Sequence, residues 1–185
     1  MRSLLLILII AYFRLSANGQ DIILWNDTVP LQWENFKAQE QKESPYDAET
    51  HWAVKYNTHL EHDTLVFDIF SYVETLKSWV KKDQITDDLL QHEQGHFDIG
   101  ESYTRKLRKS LSVHDFTMDN LQKDIPDIYN KIMEECVEEQ RKYDKETNHS
   151  KDIEEQAIWN AKIASMLNQY SDYIATTILV PLKKK

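Results

Sequence analysis

The chain has 185 residues, with 22 Lys and Arg against 31 Asp and Glu, for a formal net charge of -9. That is room for one ordinary domain, and so acidic a chain is a poor partner for nucleic acid, which needs a basic face. Hydrophobic residues at 41% exclude global disorder, the single Cys136 excludes an intramolecular disulfide and a thiol-rich metal site, and 3 Gly with 4 Pro argue against a many-turned all-β domain.

The first residues read as an address. Arg2 supplies a positive start, Leu4 to Phe13 is an apolar run too short to span a bilayer, and Ala17 and Gly19 fit a signal-peptidase cut before Gln20. The expectation is a signal peptide over residues 1–19, and export of a single domain over 20–185 to the periplasm or the cell exterior. Removing the leader takes away Arg2 and Arg14 and no acid, so the mature chain carries 20 basic and 31 acidic residues, a net of -11. No later run is apolar enough for stable membrane insertion. An exported chain with one cysteine draws its stability from its core or from a bound metal.

The front of the mature chain leans to strands. Asp21 to Trp25 is a short apolar candidate. Thr50 to Thr58 alternates Trp52, Val54 and Tyr56 with Ala53, Lys55 and Asn57, the period of a half-buried strand. Thr64 to Val73 is rich in β-branched and aromatic residues, and Glu61-His62-Asp63 between the two predicts a hairpin turn.

From Asp83 the period changes. Thr86 or Asp83 can cap a helix with Asp87 and Asp88 in its first turn. Leu89, His92, His96, Ile99, Tyr103 and Leu107 then recur at steps of three and four, to about Leu111. A second helix is expected from near Pro126, with Ile128, Ile132, Cys136, Gln140 and Tyr143 as its stripe. A third covers about Lys151 to Tyr170, with Ile153, Ala157, Ala161 and Ala164 as its apolar row. The tail from Val180 to Lys185 reads as solvated.

The chemistry lies in His92-Glu93-Gln94-Gly95-His96, an H-E-x-x-H match. On a helix the two histidines stand about one turn apart and project the same way, so one Zn²⁺ can take both nitrogens. Glu93 sits roughly 100° around from His92, where it can take a proton from water without ligating the metal. Gly95 costs about 1 kcal/mol against Ala inside a helix, which suggests that something packs closely there. The extended metzincin pattern requires a histidine where this chain has Ser102, so that class is excluded. Glu101 lies about 180° from His92 and points away.

A third ligand must come from elsewhere: His51, His59, His62, His114, Asp144 or His149. The stretch Tyr143 to His149 ends the second helical stripe. There His149 is the first choice and Asp144 the second, and Tyr143 is a candidate donor to a developing oxyanion.

Residues 89 to 99 (LLQHEQGHFDI) resemble the central motif of a bacterial domain family of unknown function, whose members are described as predicted secreted zinc-dependent proteases. Ser78-Trp79-Val80 upstream is similar as well. So are Tyr143-Asp144, Thr147 and His149, with Gln156 and Trp159 following, which resemble the family's Y-D-x-x-T-x-H-G motif and the Gln and Trp after it. Ser150 stands where that motif has glycine. The resemblance implies an exported zincin-like protein and adds weight to His149 as ligand.

The expectation is therefore an α+β zincin-like domain: a small antiparallel sheet packed on the H-E-x-x-H helix, with further helices toward the C-terminus. The expected metal is Zn²⁺ on His92, His96 and His149, with Glu93 as general base and Tyr143 as a catalytic candidate. The expected activity is that of a metalloprotease, its partner a peptide or protein substrate. The alternatives are an exported binding or assembly module with a structural zinc, and a zinc amidase acting on cell-wall material.

Overall fold

The computed structural model describes residues 21–184; the predicted leader lies outside the described residues. The architecture is α+β. A four-stranded antiparallel sheet packs one face against a layer of helices, and a two-stranded ribbon stands beside it.

The alternating segment forms β3 (Trp52–Glu61), and the β-branched segment forms β4 (Thr64–Glu74). They pair antiparallel in continuous register from Trp52↔Val73 to Glu61↔Thr64. The two-residue turn has His62 at φ 55°, the positive value that a II′ hairpin turn needs at its first central position. On the opposite side of β4, β1 (Ile22–Leu24) pairs with its C-terminal end. Leu65, Phe67, Ile69 and Val73 alternate toward the helices and are buried, each stabilising the fold by about 1.5–3 kcal/mol. The ribbon joins β2 (Ala48–Glu49) to β5 (Trp79–Val80). Trp79 is core, 1% exposed, with its Nε1 donating to Glu49 at 2.9 Å.

Helix α1 (Asp87–Val113) starts at Thr86, whose hydroxyl accepts from the Leu89 N–H. It runs through the middle of the molecule. Leu107 and Leu111 meet the sheet residues Phe67 and Ile69, Phe97 meets Leu31, Phe36 and Val73, and Ile99 meets α2 and α3. Burial on so many sides explains its polar interior residues. Glu101, Arg105 and Arg108 are all under 5% exposed. Glu101 accepts from both arginines and from Ser71, while Arg108 also donates to the carbonyls of Ile69 and Tyr173. Glu101 thus points away from the histidines, into an ion cluster that ties α1 to the sheet.

Helix α2 (Leu121–Glu146) starts five residues before Pro126, and α3 spans Ile153–Gln169. Two expectations need correction. The buried row of α3 is Gln156, Trp159 and Ile163, whereas Ile153 is 71% exposed; the large Trp159 ring, not the alanine row, seeks the interior. The tail is not solvated throughout. Thr177–Pro181 forms β6, which pairs with the N-terminal half of β4 and buries Val180.

Candidate metal centre

His92 and His96 lie one turn apart on α1, and both present Nε2 to a single oxygen. Asp144 Oδ1, from the last turn of α2, stands 3.2 Å from His92 Nε2 and 3.0 Å from His96 Nε2. Among the described residues these three form the one group of at least three His, Cys, Asp or Glu side chains whose ligand atoms all lie within 4.8 Å of one another. They are a possible metal-binding triad.

The neighbouring amides fix the ring orientations. Gln156 Nε2 donates to Tyr143 Oη and to Asn160 Oδ1, each at 2.8 Å, so its Oε1 is left to accept from His92 Nδ1 at 3.0 Å. Gln140 Nε2 donates to the His96 carbonyl at 2.8 Å, and its Oε1 accepts from His96 Nδ1. Both Nδ1 atoms therefore donate to amide oxygens, which leaves the two Nε2 atoms as the ones that can turn a lone pair to the common point once a cation replaces their protons. This outer ring of partners is what orients metal-ligating imidazoles. Two imidazoles and a carboxylate are a donor set that suits Zn²⁺.

The electrostatics of the metal-free cluster follow. Burial alone would lower the His96 pKa, but the Asp144 hydrogen bond and charge, with Glu93 and Gln140, outweigh it and raise it to about 9. Burial opposes ionisation of Asp144, yet the hydrogen bonds and charges of both histidines hold its carboxyl well below the usual range. His96 thus holds a proton toward the ionised Asp144 that a divalent cation would displace.

The triad lies in a cleft of about 330 Å³, walled by Tyr46, Ala48, Glu49, Trp52 and Leu89, among others. Glu93 faces it too, buried, with Oε2 accepting from Thr50 Oγ1 at 2.6 Å. A larger hollow of about 490 Å³, bounded by Trp25, Asp98 and Arg105 on another side of α1, contains no histidine.

His149, the expected third ligand, lies outside the triad. Its Nδ1 is 3.4 Å from Asp144 Oδ1, its ring packs on Tyr46, and its side chain is 41% exposed. The geometry brings Asp144, the second choice, between the histidines instead. Tyr143 has a different task from the expected one. Its ring is fully buried and stacked on His92, and its one hydroxyl proton goes to the His92 carbonyl at 3.1 Å. It builds the wall behind the histidines rather than pointing into the cleft. The remaining ligand candidates are also outside the triad: His59 is near Glu61, His62 is in the hairpin turn, His114 pairs with Asp124, and the buried His51 Nδ1 has no partner. Gln140 and Thr50 were not foreseen as site residues. A glutamine on an inward stripe one turn before a candidate ligand is the signal that could have found Gln140.

Residues 72–150 match the model of a family described as bacterial protein of unknown function (DUF922). That segment runs from the end of β4 to the residue after His149, so it holds β5, α1, α2 and both motifs. The match fits the family expected from those motifs, and its description states no activity. No curated protein and no solved structure matches the chain.

Proposed function

We propose that the protein is an exported, zincin-like metallohydrolase that cleaves peptide bonds, with Zn²⁺ held by His92, His96 and Asp144. The observation that carries this reading is the convergence of two Nε2 atoms, each backed by an amide on Nδ1, on one Asp144 oxygen beside Glu93. A zinc ion there supplies a Lewis acid that polarises a carbonyl and acidifies water. Glu93 accepts the proton: Thr50 holds its Oε2, leaving Oε1 for water in the cleft. The ribbon beside the cleft supports an extended substrate. The Lys81 N–H bonds the Asp47 carbonyl, so Asp47 faces β5 and the backbone groups of Ala48 turn away from it. Ala48 lines the cleft, which suits a peptide added as a strand. The leader pattern supports export.

The test is Glu93→Gln. The variant should keep its zinc and lose at least about 100-fold in the rate of cleaving a mixture of extended peptides. A variant as active as wild type would remove Glu93 from the mechanism. A structural zinc is the second reading, favoured by His149 beside Asp144, because a fourth protein ligand closes a site. Under that reading the wild type also cleaves nothing.

A further inference from the structure

The outer edge of β3 is a second interaction surface. The register with β4 fixes which backbone groups point outward. Glu61 and Thr64 flank the two-residue turn and bond each other, so Glu61, His59, Asn57 and Lys55 face β4. Val54, Tyr56, Thr58 and Leu60 then turn their N–H and C=O groups away. The Val54 carbonyl confirms the parity: it accepts from Tyr129 Oη of α2 at 3.2 Å. Among the described residues no strand pairs with this edge. Tyr129 also packs on the Tyr56 ring, and from there to Leu60 the edge has no proline, no bulge and no inward charge. Leu60, on the core face of the sheet, is 44% exposed.

We propose that β3 pairs antiparallel with β3 of a second copy about a two-fold axis at Thr58, joining the two sheets into one. The parity admits only registers in which outward-facing residues meet. With the axis at Thr58, Tyr56 meets the partner's Leu60, Thr58 meets the partner's Thr58, and Leu60 meets the partner's Tyr56. Each is a pair that exchanges two backbone hydrogen bonds. On the other face, Lys55 comes opposite the partner's Glu61, and Asn57 opposite the partner's His59. Opposite charges thus meet twice by symmetry on that face, while on the core face the partner's Tyr56 covers the exposed Leu60. Moving the axis to Tyr56 sets Lys55 against the partner's Asn57. Moving it to Leu60 carries Lys55 beyond the partner's strand. Thr58 is the axis that matches charge. Trp52, which borders the metal cleft, lies six positions along the strand, about 20 Å away, so the cleft stays open in the pair.

Light scattering on the purified protein should give about twice the mass of one chain. Thr58→Pro removes an outward N–H that β4 does not use. It should give a monomer with an unchanged circular dichroism spectrum. Lys55→Glu alone and Glu61→Lys alone should each weaken the dimer at least tenfold, and the double exchange should restore it. A monomeric wild type would overturn the proposal. So would a dimer that survives both Thr58→Pro and the single charge reversals.

Discussion

Gly95 lies directly beneath Tyr143: a methyl group added at Gly95 would overlap the Tyr143 hydroxyl and stand 2.8 Å from its Cζ. The hydroxyl cannot retreat freely, because it donates to the His92 carbonyl and accepts from Gln156. Gly95→Ala should therefore destabilise the fold by about 1–3 kcal/mol, against a helix-propensity gain of only about 1 kcal/mol. Thermal unfolding checks the sign. A variant more stable than wild type would mean that Tyr143 moves aside without cost.

Gln156 ties the His92 ring to Tyr143 and α3. Gln156→Leu removes the acceptor that fixes His92 Nδ1, and should weaken zinc binding by about 10- to 100-fold. Competition with a zinc chelator measures it. Unchanged affinity would show that ring stacking on Tyr143 alone is sufficient.

Glu101 is an acid on the same helix as the histidines with no part in the cluster. Glu101→Ala strands Arg105 and Arg108 in the interior, at a cost of about 3–5 kcal/mol. The folded fraction of this variant should still bind zinc as wild type does. Loss of metal from the folded fraction would contradict the separation of the two clusters.

The metal-free protein should be sensitive to alkali. The His96 pKa is raised from 6.5 to about 9, so its contribution is complete below 6.5 and is lost as the pH rises through about 9. Asp144 is held below its ordinary 3.8, so its contribution is present above 3.8 and fades as the pH falls further. Without metal, the melting temperature should drop between pH 6.5 and 9. With zinc bound, the His96 proton is displaced and that drop should be much smaller. Parallel melts with and without a chelator compare the two.

Much of this was legible in the sequence because it is local. The step of three and four from Leu89 to Leu107 marked α1, and the alternation from Trp52 marked β3. The glycine in the pentapeptide signalled a close neighbour, and Tyr143 is that neighbour. What the sequence left open depends on the chain's path after α2. Asp144 and His149 are five residues apart, and either could have met the histidines. The choice is made by the end of the helix at Glu146 and by three successive residues, Asn148, His149 and Ser150, at φ 47°, 52° and 71°. Of the three only Asn148 is of a type that visits left-handed backbone at all readily, and then singly, so the run does not announce three in a row. The strand β6 was hidden for a related reason: Thr177–Pro181 is short and lies next to three lysines, and its pairing with β4 is a long-range contact.

Those left-handed residues give a further expectation. Ser150, where the resembling motif has glycine, sits at φ 71°, a conformation that costs a residue with a side chain about 1–2 kcal/mol. Ser150→Gly should raise stability by about 1 kcal/mol, or about 2–4 °C in melting temperature for a domain of this size. A lower melting temperature would indicate that the serine side chain makes a contact worth more than the strain.

The central claim is that His92, His96 and Asp144 hold one zinc ion. Elemental mass spectrometry of the purified wild type, Asp144→Asn and His149→Ala, each shown to be folded by circular dichroism, tests it most directly. The account predicts close to one zinc per chain in the wild type, most of it lost in Asp144→Asn and most of it kept in His149→Ala. A wild type that takes up no zinc after dialysis against it, or a metal that stays in Asp144→Asn and leaves in His149→Ala, would contradict it.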